Sequence, residues 1–253
     1  MLKIWLSDPF RRNVGSTGSA ISRLTKKGRL TDLDNYVQEY ISPGSTILDV
    51  AISTGVTSVD LYNHLTLLGC QFNMEVSDPY SRISRQGAIL KSYRNEFGSL
   101  FCHTLGPIVF SAKLKHKWFF SKYGGYILDH FVYKCSGEQE TVLLIDDELQ
   151  KLLTQHKIAW VNLDIFVNPA LKQYNFVRMM NLLNVDLFDN DHIKVALGNV
   201  FSSLIDGGIL LAGRTNLQGI NHATFFRKNS NKFVKVKAIN RGSELEPIIL
   251  AEF

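Results

Sequence analysis

Short apolar runs alternate with helical stripes of apolar residues in the first third of the chain. The run TILDVAI at 46–52 is rich in branched apolar residues and is bounded by turn residues, which predicts a strand buried on both faces. Apolar residues at helical spacing in 56–69 predict a helix that ends at Gly69. The run FNMEVSD at 72–78 predicts a second strand. The order strand, tight turn, helix, strand predicts a βαβ unit with parallel strands and a right-handed crossover.

The second half of the chain continues this alternation and ends in a hairpin pattern. It predicts a strand at 159–167, a helix at 189–208 ended by Gly207 and Gly208, a strand at 208–214, and two strands in 223–241 around Asn229-Ser230-Asn231. Strands that alternate with helices before a closing hairpin predict an α/β sheet that is mostly parallel with an antiparallel edge.

Residues 1–44 precede this pattern and predict a helical N-terminal cap. Apolar residues recur at helical spacing from Leu30 to Ile41, and Thr31 or Asp32 is the predicted helix cap. The stretch GSTGS at 15–19 follows no strand and precedes no Gly-Lys-Ser/Thr, so it predicts a plain loop rather than a phosphate-binding loop.

A second region outside the alternation, 99–158, predicts an insertion. Asp78 and Asp164 are 86 positions apart (164 − 78), and long connections in compact domains tend to be functional. Lysines alternate with aromatic residues in 113–126, which leaves three interpretations open: a hairpin packed on the sheet with Gly124-Gly125 as its turn, a substrate lid, or a surface for nucleic acid or an anionic membrane.

Composition excludes several classes of protein. With 253 residues, 45% hydrophobic and 20% charged, the chain has the composition of a globular protein rather than a disordered one. Its three cysteines form no CxxC pair, which excludes a zinc ribbon or a thioredoxin-like motif and predicts a reducing, cytoplasmic compartment. No apolar run reaches the ~20 residues of a membrane span, and no signal peptide is expected. The net charge of +5 permits an anionic partner without requiring one.

The end of the first predicted strand carries the candidate chemistry. In an open parallel sheet, ligands bind beyond the carboxyl ends of the strands where the strand order reverses. Small residues there let the backbone approach a ligand, and the next helix offers free N–H groups. Asp78 ends the second strand, 23 positions after Gly55 (78 − 55), where an acid can accept hydrogen bonds from ribose hydroxyls. This pattern predicts a cofactor that contains a nucleoside.

The loop that begins at Asp49 resembles the D/E-x-G-x-G-x-G loop of class I S-adenosylmethionine (SAM) dependent methyltransferases. Ala51 and Ser53 replace the first two glycines of that pattern, and Gly55 keeps the third. A dinucleotide site would instead show GxGxxG.

A second block, 174–214, resembles the catalytic domain of chemotaxis-receptor methyltransferases and related bacterial enzymes. In the chemotaxis enzymes an arginine directly precedes the asparagine of this block, whereas here Met180 precedes Asn181 and the arginine is Arg178. The residues that carry the resemblance are Phe176, Val177, Asn181, Leu182, Leu183, Phe188, Leu204, Gly207, Gly208 and the strand up to Gly213.

The resemblance implies a Rossmann-like α/β fold with a seven-stranded, mostly parallel sheet, an antiparallel terminal hairpin, a helical N-terminal cap, and an insertion between strands 2 and 3. It implies one methyltransferase domain over 1–253, with a SAM-binding core at 45–98 and 159–253. It also implies which residues contact each part of SAM. Asp49, Ala51, Ser53 and Gly55 would line the methionine part, and Asp78 would bind the ribose. Asp164 would meet the adenine amino group, Ile165 would pack near the adenine ring, and Asn181 would lie by the methyl donor.

Methyl transfer from a sulfonium is a direct displacement, so alignment supplies most of the effect and neither a nucleophile nor a metal is required. A base is needed only if the acceptor must lose a proton; His130 and His192 are the two histidines worth testing, and Arg11, Arg12 and Arg23 are candidate acceptor-side groups. No NPPY-like signature follows the fourth strand, which favours an oxygen or nitrogen of a small molecule or natural product over a nucleic-acid acceptor. A homodimer stays open.

Two other functions remain as alternatives. One is a nucleotide-binding enzyme of the NAD type, and the other is a non-catalytic module that keeps the fold but not the cofactor, since two of the three loop glycines are replaced.

Overall fold

The computed structural model describes residues 26–79, 82–86, 90–95, 100–105, 108–111, 140–143 and 145–253. The chain forms two compact units, one with Thr25–Asp78 and Asp146–Phe253, the other with the strands between Pro79 and Ile145. Several predicted features lie outside the described residues: Arg11, Arg12, Arg23, the loop at 15–19, the stretch 113–126 and His130.

The elements follow one another along the chain as helices and strands of ordinary length. In chain order they are α1 (Thr31–Val37), a 3-10 helix (Gln38–Tyr40), β1 (Ser45–Val50), α2 (Val56–Leu67), β2 (Phe72–Ser77), β3 (Arg82–Gln86), β4 (Leu90–Asn95), β5 (Leu100–Leu105), β6 (Ile108–Ser111), β7 (Glu140–Leu143), α3 (Asp147–Thr154), β8 (Ile158–Trp160), β9 (Tyr174–Met180), α4 (Asn190–Ser202), β10 (Leu204–Thr215), β11 (Asn221–Asn229), β12 (Lys232–Ile239) and α5 (Glu246–Glu252).

The larger unit contains a seven-stranded sheet in the order β12-β11-β10-β9-β1-β2-β8. Strands β8, β2, β1, β9 and β10 are parallel, while β11 and β12 form the antiparallel hairpin predicted at the end of the chain. This is the predicted Rossmann-like α/β fold. Because β1 lies between β2 and β9, the strand order reverses at β1, which is where such sheets bind ligands.

The two faces of this sheet bury different helices. Side chains of β1 alternate, so that Leu48 and Val50 join the core formed with α4 and α5, whereas Asp49 points to the opposite face, where it bonds residues of β9 and α2. On that opposite face the 3-10 helix contributes Tyr40, whose ring stacks on Phe225 with centroids 5.0 Å apart. Both faces of the central strands are therefore covered, as their continuous apolar runs predict.

The second unit is a separate five-stranded antiparallel sheet in the order β6-β5-β4-β3-β7. It begins after Asp78 and ends before Asp146, so the predicted boundaries of the insertion, 99 and 158, are displaced at both ends. The reason is pairing: β3 and β4 pair within the second sheet, whereas β8 pairs with β2 of the first.

The predicted strand at 159–167 is wrong beyond Trp160. The chain turns at Asp164, whose side-chain Oδ1 accepts the N–H of Phe166 (2.9 Å) and whose carbonyl accepts the N–H groups of Val167 and Asn168 (3.0 Å each). An aspartate that bonds the backbone two residues ahead favours a turn over a strand.

The predicted ends of two helices are also wrong. Helix α4 ends at Ser202, and Gly207 lies within β10 at an irregularity of its pairing with β9. Lys228 donates from Nζ to the carbonyls of Phe201 (2.8 Å) and Leu204 (2.7 Å), and so satisfies the end of the helix without a glycine. At α1 the N-cap is Leu30, not Thr31 or Asp32, and no side chain caps it.

Candidate functional site

The loop between β1 and α2 lies at the carboxyl edge of the sheet and has an unusual backbone. Ala51 (φ 56°), Ser53 (φ 58°) and Gly55 (φ 80°) all adopt positive φ. These are the three positions at which the resembled loop has glycines. A positive φ costs a non-glycine residue roughly 1–2 kcal/mol, and such strain persists only where the surroundings impose it. Ala51 and Ser53 therefore hold a backbone conformation that glycine adopts without strain.

Gly55 is required by its surroundings as well as by its φ. It is the N-cap of α2, and a Cβ at this position would lie 2.2 Å from Cδ2 of Leu149 on α3. The N–H of Asp146 donates to the carbonyl of Thr54 (2.8 Å), which fixes the start of α3 beside the loop. Leu149 was not predicted to belong to the site, because an apolar residue on a short helix gives no sign of this contact.

Asp78 lies beside the same loop, at the end of β2. Its Oδ2 accepts the N–H of Ser53 at 2.7 Å, and the N–H of Ile52 donates to the carbonyl of Ser77 at 3.3 Å. Asp78 is 8% exposed. The structure thus brings together two parts of the predicted site, the loop and the acid of the second strand.

Asp49 is engaged inside the protein. Its two carboxylate oxygens accept hydrogen bonds from Arg178 on β9, with Nε–Oδ1 at 2.9 Å and Nη2–Oδ2 at 2.6 Å, and Ser58 on α2 donates to Oδ2 at 2.7 Å. Asp49 is 4% exposed and Arg178 is 1% exposed. The role assigned to Asp49 at the methionine part of the cofactor stays a prediction; the contact that the structure shows is the one to Arg178.

Arg178 makes two further bonds on the same face of the sheet. Nη1 donates to Asp34 of α1 at 3.0 Å, and Nη2 donates to the carbonyl of Thr57 in the first turn of α2 at 2.8 Å. Although burial alone would lower the pKa of Arg178, the carboxylates of Asp49 and Asp34 raise it. One guanidinium therefore bonds three elements around its own strand.

Asp34 is the second buried carboxylate of this cluster. Burial raises the pKa of Asp34 to about 7, and this outweighs the opposing attraction of Arg178, while Asp49 and Asp60 raise it further. The attraction of Arg178 is the smaller effect because Asp49 already compensates its single positive charge through two bonds.

Asn181 directly follows β9, which lies beside β1 on the side opposite to β2. It has φ 60°, and its Oδ1 accepts the N–H of Thr215 (2.8 Å) and Nη2 of Arg29 (3.1 Å). Nε of Arg29 also donates to Oγ1 of Thr215 at 3.0 Å, and the N–H of Gly28 donates to Oδ2 of Asp60 at 2.7 Å. The segment that leads into α1 therefore crosses the carboxyl ends of β9 and β10 and reaches α2.

Asp164 and Ile165 follow β8, with β2 between that strand and β1. Oδ1 of Asp164 accepts the Phe166 N–H, as described above, and Ile165 is 5% exposed within the apolar core on the α4 side of the sheet. The carbonyl of Ile165 accepts Nδ2 of Asn199 on α4 at 2.8 Å. Their assignment to adenine stays a prediction.

The remaining candidates do not join this cluster. The ring of His192 lies 2.7 Å from Oδ1 of Asp189, at the exposed start of α4. A shallow depression of about 370 Å³ is lined by residues such as Gly44, which precedes β1, and Phe72, which begins β2, at the edge of the sheet opposite the loop. In the part of the chain that the structure describes, no group of metal-ligating side chains is found, and no helix is long and apolar enough to cross a bilayer.

Sequence reasoning missed Arg178, Asp34 and Arg29 as parts of the site. A signal for the first was present, because a charged residue inside an apolar strand predicts a buried partner. The partners themselves are far apart in sequence, and nothing in the pattern identifies Asp34 as one of them.

Comparison with known proteins finds distant similarity to solved structures. No protein-family model matches the chain, and no curated protein is similar enough to count as a match. A solved structure of the citrinin polyketide synthase CMeT domain is similar at 12% identity and a TM-score of 0.40, over 73% of this chain and 34% of that one. The N-methyltransferase NodS from Bradyrhizobium japonicum, in complex with S-adenosyl-L-homocysteine, is similar at 11% identity and a TM-score of 0.38, over 81% of this chain and 70% of that one.

A third similar structure is the PH0226 protein from Pyrococcus horikoshii, at 11% identity and a TM-score of 0.45, over 96% of this chain and 87% of that one. The chain spans about a third of the polyketide synthase structure, by the 34% given above. At identities this low the similarity concerns the fold alone.

Proposed function

We propose that the chain is a SAM-dependent methyltransferase that acts on an oxygen or nitrogen of a small molecule. The observation that carries this proposal is the backbone of the loop at 51–55. Ala51, Ser53 and Gly55 share a positive φ at the three positions where the resembled methyltransferase loop has glycines. A loop that keeps a strained conformation after losing two glycines is expected where function requires the shape.

The residues around the loop fit a nucleoside cofactor. Asp78 is fixed beside the loop through the Ser53 N–H, where its carboxylate can accept hydrogen bonds from ribose hydroxyls. Oγ1 of Thr54 is buried and has no hydrogen-bond partner among the described residues, which leaves one polar atom of the loop unsatisfied. The loop, Asp78 and Asn181 together would hold the cofactor, and Asp164 and Ile165 would flank its adenine.

When bound, SAM supplies a methyl group on a positively charged sulfur. The residues of the chain then have to bind and orient the two reactants, because a direct displacement gains most from alignment. Asn181 and Arg29 lie at the end of the strand beside the loop, where the acceptor would approach. No NPPY-like sequence follows β9, since the chain continues as Asn181-Leu182-Leu183-Asn184, which favours a small-molecule acceptor. The more specific likeness to chemotaxis-receptor methyltransferases rests on the sequence block at 174–214 alone.

Titration calorimetry with S-adenosylhomocysteine tests the proposal. We expect micromolar binding to the wild type and a loss of about 10- to 100-fold in Asp78→Ala, because a hydrogen bond to a charged group is worth roughly 1.5–3 kcal/mol. The matched control is Asp206→Ala: Asp206 is an exposed acid at the opposite edge that also accepts the N–H of a positive-φ residue, Ser230. It should bind like the wild type.

Two outcomes would contradict the proposal. Absence of S-adenosylhomocysteine binding by the folded wild type would leave the interaction module as the better interpretation. Tighter binding of NAD than of S-adenosylhomocysteine would favour the NAD-type enzyme.

A further inference from the structure

The strained loop at 51–55 needs a structural reason to keep its shape. Two of its residues, Ala51 and Ser53, have a positive φ, which persists only where the surrounding structure imposes it. The Ser53 N–H bond to Asp78 holds the middle of the loop. The question is therefore what holds its two ends.

Both ends are bonded to the same side chain. Asp49 lies two positions before Ala51 and receives Nε and Nη2 of Arg178 at 2.9 and 2.6 Å. Thr57 lies two positions after Gly55, and its carbonyl receives Nη2 of Arg178 at 2.8 Å. Ser58 closes the arrangement by donating to Asp49 at 2.7 Å. The guanidinium is planar and rigid, so these bonds fix the span between the ends of the loop.

The arginine is itself held from the other side. Nη1 of Arg178 donates to Asp34 of α1 at 3.0 Å, and both side chains are 1% exposed. Rotation of the guanidinium would break its two bonds to the buried Asp49, which is costly for a buried charge pair.

We propose that Arg178 is the positioning residue of the cofactor loop, and that it holds the left-handed conformation by fixing both ends, Asp49 and Thr57, from one guanidinium. Arg178 does not touch the cofactor in this role. The proposal rests on the proposed function for its meaning, since it states how the cofactor-binding shape is maintained. It also gives the N-terminal helix α1 a part in cofactor affinity, through Asp34.

The test uses Arg178→Lys in the full chain. Lysine keeps the charge but offers a single nitrogen, which cannot bond Asp49, Asp34 and the Thr57 carbonyl at the same time with the geometry of a guanidinium. We expect the dissociation constant for S-adenosylhomocysteine to rise by about 10-fold, within the 2- to 30-fold range of residues that act through others.

The matched control is Lys228→Met, which removes another buried cation at the opposite edge of the sheet, where Nζ bonds the carbonyls of Phe201 and Leu204. We expect it to lower the thermal midpoint while the dissociation constant stays within twofold of the wild type. A wild-type dissociation constant in folded Arg178→Lys, or an equal loss in Lys228→Met, would overturn the proposal.

A rescue separates positioning from general destabilisation. Glycine adopts positive φ without strain, so adding Ala51→Gly to the Arg178→Lys variant should lower its dissociation constant for S-adenosylhomocysteine about threefold. The same glycine substitution at Ser230, which has φ 54° in the β11–β12 turn, should recover none. Recovery in both double variants, or in neither, would contradict the proposed role.

Amide hydrogen exchange of the peptide 50–58 gives a readout that needs no ligand. Arg178→Lys should speed the exchange of this peptide relative to Lys228→Met, and unchanged exchange would overturn the proposal. If the wild type binds no S-adenosylhomocysteine, the proposed function fails while the exchange experiment still decides the role of Arg178.

Discussion

Replacing Ala51 by glycine should stabilise the protein, which is uncommon for a substitution in a candidate site. Ala51 has φ 56°, a conformation that costs a residue with a Cβ about 1–2 kcal/mol. Glycine removes this cost but adds about 0.4–1 kcal/mol through the greater freedom of the unfolded chain. The net gain is about 0.5–1 kcal/mol, which for a unit of this size corresponds to roughly 1–4 °C in the thermal midpoint.

Differential scanning calorimetry with a matched control measures this effect. Ser230→Gly changes a residue with φ 54° in a surface hairpin and should give a similar increase. The two variants should differ at the cofactor: Ala51→Gly should bind S-adenosylhomocysteine at least as well as the wild type, since it restores the glycine of the resembled loop. A lower midpoint for Ala51→Gly together with a higher one for Ser230→Gly would show that the loop does not carry the strain inferred from its backbone.

Three further predictions concern the loop, the buried Asp34 and the packing of Phe225 on the sheet. Gly55→Ala should lower the free energy of unfolding in urea by about 2–5 kcal/mol, because the new Cβ would overlap Leu149 at 2.2 Å and the residue would be strained at φ 80°. The control Gly44→Ala, at φ 82° with open space around it, should cost only about 1–2 kcal/mol. Equal costs for the two variants would refute the contact with Leu149. Burial raises the pKa of Asp34 from 3.8 to about 7, so the folded state binds more protons than the unfolded state between these pH values. The contribution of this carboxyl group to the free energy of unfolding is therefore complete below pH 4 and is lost as the pH rises through 7. Relative to Asp34→Asn, the wild-type free energy of unfolding should therefore fall by up to about 4 kcal/mol from pH 4 to pH 8, and parallel pH profiles would contradict this. Phe225→Ala should cost about 3–5 kcal/mol, since its ring is fully buried against Tyr40 and Phe176; a cost below about 1 kcal/mol would mean that this face is not packed as described.

The central sheet could be predicted from sequence because its strands are buried on both faces. TILDVAI became β1 at Ser45–Val50 and FNMEVSD became β2 at Phe72–Ser77, each within two residues of the prediction. The terminal hairpin followed from the turn residues around Ser230. Continuous apolar runs of this length between turn residues have few alternatives, so local pattern was sufficient.

Local pattern was insufficient wherever a side chain overrode it. The apolar residues of 161–167 suggested a strand, but Asp164 satisfies the backbone of a turn instead. Helix α4 ends at Ser202, five residues before Gly207, because Nζ of Lys228 on β11 donates to the carbonyl of Phe201 at the end of the helix. Neither outcome depends on hydrophobic periodicity.

The loop at the end of β1 was predictable in its position, whereas the contacts around it were not. The spacing of Ala51, Ser53 and Gly55 indicated the loop, and the structure adds the positive φ of all three. The pairing of Asp49 with Arg178 joins residues that are 129 positions apart, and Asp34 lies 144 positions from the same arginine. Single-sequence reasoning has no means to match partners at such separations.

The position of β1 between β2 and β9 has a consequence for the order of folding. The partner β2 begins 27 positions after β1 (72 − 45), whereas β9 begins 129 positions after it (174 − 45), with the whole second sheet encoded in between. During synthesis, β1, α2 and β2 can associate early, but the bonds of Arg178 can form only after β9 has emerged. Contacts between distant residues slow folding, because the chain loses loop-closure entropy before it gains their energy. The left-handed conformation of the loop at 51–55 is therefore expected to be acquired late, when β9 docks and the ends of the loop are fixed.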